Sequence, residues 1–358
     1  MTGVASVDLL ARTAALVDIS SPSRAEGPIV DAIEAELLAH PHLEVTRVGD
    51  NLVARTTLGR PHRIILAGHT DTVPASGNDR ARIDGDRLHG VGSADMKGGL
   101  AVMLELAGSL VEPAVDVTYV FYAREEVASA ESGLGELLEA RPDLLVGDVA
   151  VLGEPTDARI EAGCQGTLRA VVVLHGARAH TARPWMGRNA VHRLAGVLSE
   201  FDRHVGRVVE IDGCTFRESL QAVAVEGGVA GNVVPDRASV TVNFRFAPDR
   251  SADEAVAYVR SLVAPHLEQG DDIEVLDLAP AAAPGLSHPL LAALVERSGG
   301  VVDAKLGWTD VARFASHGVP AVNYGPGDST IAHTAGEHLD RAPLERVHQV
   351  LHGLLTAP

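Results

Sequence analysis

The amino-acid sequence predicts an α/β protein: a mixed central sheet flanked by helices, carrying an inserted α+β domain. Three observations lead there. The 358-residue chain is 46% hydrophobic but only 3% aromatic, so its interior is built from Ala, Val and Leu, as a protein with many sheet positions requires. Short apolar runs at Arg63–Ala67, Val115–Ala123 and Asp148–Leu152 are separated by helical patterns. From Gly166 the texture becomes β-α-β-β-α-β, a self-contained ferredoxin-like unit.

Helices are expected over Val7–Ile19 and from Glu26–Gly27 to Leu38, separated by the breaker Ser20-Ser21-Pro22-Ser23. Strands at Val45–Val48 and Leu52–Arg55 flank the Gly49-Asp50-Asn51 turn, and Arg63–Ala67 runs into Gly68-His69-Thr70-Asp71. Gly98–Leu110 reads as a helix uncharged except for Glu105, and its two leading glycines permit a close approach to another backbone. In the insertion, strands are expected at Thr167–His175, Leu220–Val225, Ala238–Phe246 and Ile273–Asp277, with helices at Gly187–Val205 and Ala252–Ala264. The Ala/Pro-rich stretch Ala279–Gly285 reads as a linker, after which the first domain resumes and closes on a helix at Pro343–Leu355. The expected division is therefore 1–165 with 280–358 for the first domain and 166–279 for the insertion.

A formal net charge of −18 argues against nucleic acid, which is bound by clustered Lys and Arg. Only Lys97 and Lys305 are lysines, each in a glycine-bearing stretch. Cys164 and Cys214 have neither metal nor redox spacing and are expected as reduced thiols. The charged, helically spaced N-terminal stretch Met1–Asp18 does not read as a signal peptide, and no apolar run approaches the roughly 20 residues of a membrane span. A cytoplasmic protein with no membrane partner is the expectation.

The chemistry is concentrated where strands end. Three apolar strands terminate in His69/Asp71, Glu125/Glu126 and Glu154, and Asp95 lies on a loop between the first two. Ligands of open α/β sheets sit beyond the carboxyl ends of the strands. Imidazole and carboxylate are the donors a divalent cation such as zinc accepts. A lone His-x-Asp is weak evidence, but His333 after the glycine-rich Gly325-Pro326-Gly327 supplies a second imidazole, and the whole reads as the metal centre of a hydrolase.

His69-Thr70-Asp71, Gly92-Ser93-Ala94-Asp95-Met96-Lys97-Gly98-Gly99, Arg124-Glu125-Glu126, Gly153-Glu154-Pro155-Thr156 and Ala332-His333-Thr334 resemble the five ordered motifs of the co-catalytic metallopeptidase family M20. That family includes carboxypeptidase G-like enzymes, aminoacylases, acetylornithine deacetylase and succinyl-diaminopimelate desuccinylase. The resemblance spans nearly the whole chain and implies a zinc-peptidase-like catalytic domain with a lid and dimerisation insertion. It also implies two divalent cations, zinc first, with cobalt or manganese admitted by the same donors. Asp95 would bridge them, His69 and Glu154 completing one site and Glu126 and His333 the other. Asp71 would fix the tautomer of His69, and Glu125 would be the general base for the attacking water. His180 would be the oxyanion donor, placed in similar proteins across a homodimer interface.

Asn232 and Arg245 resemble family positions that bind a substrate carboxylate, a task suited to a guanidinium. The runs around Gly163-Cys164-Gln165-Gly166, His180, Arg245, Thr309 and Gly325 resemble the desuccinylase branch of the family. They imply a small succinylated substrate, N-succinyl-LL-2,6-diaminopimelate. By the same resemblance the proteobacterial members of that branch have an Arg-rich turn where this chain has Gly163–Gly166, so the carboxylate contact made there is not expected here; Arg178, Arg183 and Arg313 are the candidate replacements, among which the sequence leaves the choice open. Deacetylation of acetylornithine, aminoacylase or dipeptidase activity would use the same metals and base. An inactive binding relative would most simply have lost Glu125 or a ligand, and every such position is filled.

Overall fold

The computed structural model describes residues 7–358. The chain divides into two compact units: residues up to Ala162, Pro284–Asp303 and Arg313–Pro358 form the first, and Gly163–Ala283 with Ala304–Ala312 the second.

In the first unit, α1 (Leu9–Val17) and α2 (Gly27–Leu38) precede β1 (Glu44–Val48), β2 (Asn51–Arg55) and β3 (Arg63–His69). Asp8 caps α1, its carboxylate accepting the N–H groups of Leu10 at 3.1 Å and Ala11 at 3.2 Å. A small hairpin, β4 (Arg82–Asp84) and β5 (Arg87–His89), leads through the helical turn Ser93–Lys97 into α3 (Gly98–Ser109). There follow β6 (Asp116–Tyr122), α4 (Gly133–Ala140), β7 (Val149–Leu152) and β8 (Ile160–Ala162).

The second unit holds β9 (Gly166–His175), α5 (Ala190–Arg203), β10 (Val208–Ile211), β11 (Cys214–Arg217), β12 (Ser219–Gly227), β13 (Arg237–Phe246), α6 (Ala252–Val263) and β14 (Asp272–Ala279). The chain then continues through α7 (Pro289–Ser298), β15 (Val302–Ala304), α8 (Val311–Ser316), β16 (Ala321–Asn323), β17 (His338–Asp340) and α9 (Arg341–Thr356).

The central sheet has eight strands in the order β1-β2-β6-β3-β7-β16-β8-β15. Its middle pairs, β6/β3, β3/β7 and β7/β16, are parallel, whereas β1/β2, β2/β6 and β16/β8 are antiparallel. Every residue of β6 and β7 is buried, as is all of β3 after Arg63, the pattern of parallel strands covered on both faces. Because β6, β3 and β7 are parallel neighbours, their carboxyl ends open on one edge.

Helix α3 is apolar all round except at Glu105, and it is accordingly buried along most of its length. Its start presses on the end of β7: a Cβ on Gly99 would lie 2.4 Å from the carbonyl oxygen of Gly153 and 3.0 Å from Met96 Cε. A second, three-stranded sheet in the order β17-β5-β4 ties the segment after His333 to the approach to Asp95.

The second unit carries a four-stranded antiparallel sheet in the order β12-β13-β9-β14, under α5 and α6. Leu168, Val172, Val240 and Phe244 from the sheet pack with Leu194 and Phe201 of α5 and Val259 of α6. The β10–β11 hairpin is an addition to the six elements expected. Its turn residues Asp212 and Gly213 both have positive φ, the two-residue geometry for which Asp-Gly is favoured. Among the described residues no helix is long and apolar enough to cross a membrane.

The Gly99–Gly153 approach generates the first prediction. Gly99→Ala should destabilise the protein by about 1–3 kcal/mol, because the obstacle is backbone that cannot rotate away. Urea denaturation should register this as a lower midpoint at unchanged slope.

Candidate metal centre

His69 is the last residue of β3 and is 1% exposed. Its Nε2 lies 3.1 Å from Asp95 Oδ1. On the other side of the ring, Nδ1 is 3.0 Å from the backbone carbonyl oxygen of Asp71 and 3.5 Å from that residue's carboxylate. The ring is therefore oriented chiefly by the Asp71 main chain, with the carboxylate as an ion-pair neighbour.

His333, in the left-handed region at φ +63°, places Nε2 2.7 Å from Glu126 Oε1 and 3.4 Å from Asp95 Oδ2. The two oxygens of Asp95 thus face two different imidazoles. Ligand atoms of His69, Asp95 and Glu126 all lie within 4.8 Å of one another. Glu154, two residues beyond β7, is buried, and its charge acts on His69.

Burial works against the charge of His69, but Asp71, Asp95 and the field of Glu154 outweigh it and raise its pKa well above the ordinary value. Asp95 and Glu126 raise that of His333 to about 10. Burial likewise opposes the Asp95 carboxylate, yet His333 and His69 hold it well below the usual range.

Asp71 does more than touch a histidine. Its Oδ1 accepts the backbone N–H of Glu125 at 3.0 Å, and its Oδ2 accepts that of Glu126 at 3.1 Å and the hydroxyl of Ser23 at 2.8 Å. Against the cost of burial, these bonds and His69 bring its pKa down to about 2. Asp71 therefore fixes a ligand candidate chiefly through its main chain and the Glu125–Glu126 backbone through its carboxylate. On the far side of that turn, Glu26 accepts the N–H of Arg124 at 3.1 Å, with Arg124 at φ +59°.

The sequence reading missed Glu337. It is buried, and its Oε1 accepts the N–H groups of Ala94 at 3.0 Å and Asp95 at 3.1 Å. The available signal was its place four residues after His333, but a glutamate following Thr-Ala-Gly otherwise reads as solvated. Lys97, singled out as one of two lysines, is also buried; it donates to the Ile19 carbonyl at 2.8 Å, and burial lowers its pKa to about 8 against the pull of Glu337 and Asp18.

The remaining candidates divide between the units. In the second, His180 Nδ1 accepts the N–H of Ala182 at 3.0 Å, and its loop is laced to that of Asn232: Thr181 donates to the Asn232 carbonyl at 3.0 Å, and His180 bridges Val233. Arg245 stands on β13, half-buried, with its pKa lowered by desolvation against the charge of Asp277. Arg178 is exposed and paired with Asp236 at 2.8 Å. Thr309 is buried, and its carbonyl is 3.8 Å from Cys164 Sγ. Arg313, in the first unit, donates to Ser129 Oγ at 2.7 Å and to the Ser129 carbonyl at 2.8 Å.

These donors fit divalent cations. Two imidazoles and several carboxylate oxygens converge, and a carboxylate lying between the imidazoles is what a pair of ions requires as a bridge.

Comparison with known proteins gives the family. The model of peptidase family M20/M25/M40 matches residues 65–357. A Mycobacterium tuberculosis protein provisionally named succinyl-diaminopimelate desuccinylase is 53% identical over 335 residues, 93% of each chain. The succinyl-diaminopimelate desuccinylase of Corynebacterium glutamicum is 43% identical over 349 residues, 96% of this chain and 94% of that one. Among solved structures, the fold is shared with aminopeptidase PepT of Bacillus cereus, at TM-score 0.82 and 20% identity, covering 98% of this chain and 97% of that one. It is shared also with a dinuclear metal-binding peptidase of Bacillus subtilis, at TM-score 0.70 and 17% identity, covering 97% and 96%. The chain belongs to the M20/M25/M40 family of metal-dependent peptidases.

Proposed function

We propose that this protein hydrolyses the amide of N-succinyl-LL-2,6-diaminopimelate, giving succinate and LL-2,6-diaminopimelate. The observation that carries the hydrolytic part is the Asp95 carboxylate held between His69 and His333, and the succinyl substrate rests on the named relatives at 53% and 43% identity. In this reading His69, Asp95, Glu126, Glu154 and His333 hold two divalent cations, zinc first. Bound there, such ions polarise an amide carbonyl and acidify water.

Glu125 then takes the proton of the attacking water and returns it to the nitrogen of the leaving amine as the C–N bond breaks. Asp71 keeps that base in register through the Glu125 N–H. His180 is assigned to the substrate oxyanion, and Asn232, on the adjoining loop, to the substrate carboxylate. Among the arginines, Arg245 is favoured for that carboxylate over Arg178 and Arg313, since those two are engaged by Asp236 and Ser129. Thr309 is retained as a further substrate-binding candidate.

The second unit serves as lid and dimerisation domain. The support for the dimer is its edge strand β12, which is exposed on both faces after the buried Leu220 and carries Val223 and Val225 toward solvent, a form suited to pairing with the same strand of a second copy.

Three outcomes are expected. Zinc-loaded protein should release amine from N-succinyl-LL-2,6-diaminopimelate in strong preference to N-acetylornithine or a dipeptide, and Glu125→Gln should lower kcat by about 10²–10⁴-fold; preferential cleavage of acetylornithine would move the substrate assignment elsewhere in the family. In metal-free protein, Asp71→Asn should cost about 2 kcal/mol at pH 7. The folded pKa of Asp71 is depressed to about 2, so its contribution is present above the ordinary carboxylate pKa and is lost as pH falls through about 2. The deficit, read by urea denaturation, should therefore shrink by roughly half by pH 3. Finally, sedimentation should give a dimer for wild type and a monomer for the Val223→Asp/Val225→Asp double variant; a dimer that survives both charges is not built on β12.

A further inference from the structure

The loop that presents Asp95 has little conformational preference of its own. Gly90 and Gly92 both have positive φ, at +152° and +77°, and a Cβ on Gly92 would lie 2.6 Å from Thr72 Cγ2, so this approach must be glycine and its backbone is intrinsically permissive. What fixes it comes from a distant part of the chain. Glu337, 1% exposed, accepts the N–H groups of Ala94 and Asp95 through Oε1, and its backbone carbonyl accepts the N–H of Gly90 at 3.2 Å. Bonds from N–H groups to a carboxylate are among the stronger hydrogen bonds. Directly after Glu337, β17 pairs with β5 in the register His338↔His89, which locks the two segments side by side. Four residues before Glu337 stands His333, whose Nε2 faces the second oxygen of Asp95.

We infer that Glu337 is a positioning residue for the bridging carboxylate: it holds the Asp95 backbone so that Oδ1 meets His69 while Oδ2 meets His333. Because it shares a short segment with His333, it also sets the spacing between Asp95 and that imidazole. This rests on the reading of Asp95 as the shared ligand. Glu337 is not one of the proposed metal ligands; its carboxylate is turned to the backbone of Ala94 and Asp95. Its effect is carried by the two N–H groups, as outer partners of a metal ligand generally tune affinity by 10–100-fold.

Cobalt reports on such a site without catalysis, through its visible absorption bands. Metal-free wild type, Glu337→Ala, Glu337→Gln and Asp95→Ala should be titrated with Co²⁺, with bound metal measured by equilibrium dialysis and folding by circular dichroism. Asp95→Ala is expected to abolish paired binding. Glu337→Ala should bind about 10–100-fold more weakly with displaced bands, while Glu337→Gln, which keeps the acceptor oxygen, stays within about threefold of wild type. Wild-type affinity and bands in Glu337→Ala, with loss in Asp95→Ala, would overturn the role of Glu337 and leave the metal centre standing. Wild-type binding in Asp95→Ala would instead overturn the metal centre. Should Glu337→Ala fail to fold, Glu337→Asp, which withdraws the carboxylate by one methylene, carries the test: displaced bands are expected, and an unchanged spectrum overturns the inference.

Discussion

The structure depends on one carboxylate that faces two imidazoles. Bringing Asp95, Glu126 and Glu154 toward the end of one sheet costs electrostatic free energy, since buried carboxylates need compensating charge. In the metal-free chain that compensation is protonic: Asp95 and Glu126 raise the pKa of His333 to about 10, and against the cost of burial Asp71 and Asp95 raise that of His69 as well. Divalent cations would replace those protons, because a metal takes neutral imidazole and ionised carboxylate. The cluster is thus held together by positive charge whichever its source, and metal binding and proton release are two sides of one equilibrium.

Holding several ligands so close leaves little room for ordinary side chains in the backbone around them. At the end of β7, the carbonyl oxygen of Gly153 would lie 2.4 Å from a Cβ on Gly99 and 2.2 Å from one on Gly325; a Cβ on Gly327 would lie 2.4 Å from the Ala94 carbonyl oxygen. Three chain segments meet there with almost no side-chain spacer. The glycine-rich character of the motifs is therefore a packing requirement of the centre, and only some of these glycines, such as Gly92, are also demanded by a positive φ.

Much of this was legible in the sequence, for a physical reason. Fully buried parallel strands write continuous apolar runs, so β3, β6 and β7 announced their ends, and with them His69, Glu125–Glu126 and Glu154. The alternation of β9 and β13 and the amphipathic faces of α5 and α6 announced the second sheet in the same way. The β10–β11 hairpin carried its Asp212-Gly213 signal but lies in a stretch without strong apolar alternation. Glu337 left no trace because its bond to Asp95 joins residues 242 positions apart, and Asp71 shows its hold on Glu125 only across 54. Periodicity records which face of an element is buried; it cannot record which distant N–H a carboxylate will meet.

The arginines show the same limit from the other side. Several Arg in a sequence whose expected substrate carries carboxylates invite the inference that they converge on it. In a chain with 48 acidic and 30 basic residues, however, an arginine readily finds a carboxylate of the protein's own. Arg178 is held by Asp236, Arg193 by Asp271, and Arg207 and Arg250 by Glu218. Such a guanidinium gains little from an incoming anion, because one ion pair must break for another to form. Arg245 is in a different position: it is desolvated on a rigid strand, and the charge of Asp277 only partly offsets what burial costs it. A cation already partly stripped of water and held on a strand has less hydration and less side-chain entropy to lose when a carboxylate arrives. Under the proposed function, specificity for an acidic acyl group would rest on the burial of one arginine rather than on the number of arginines the sequence supplies.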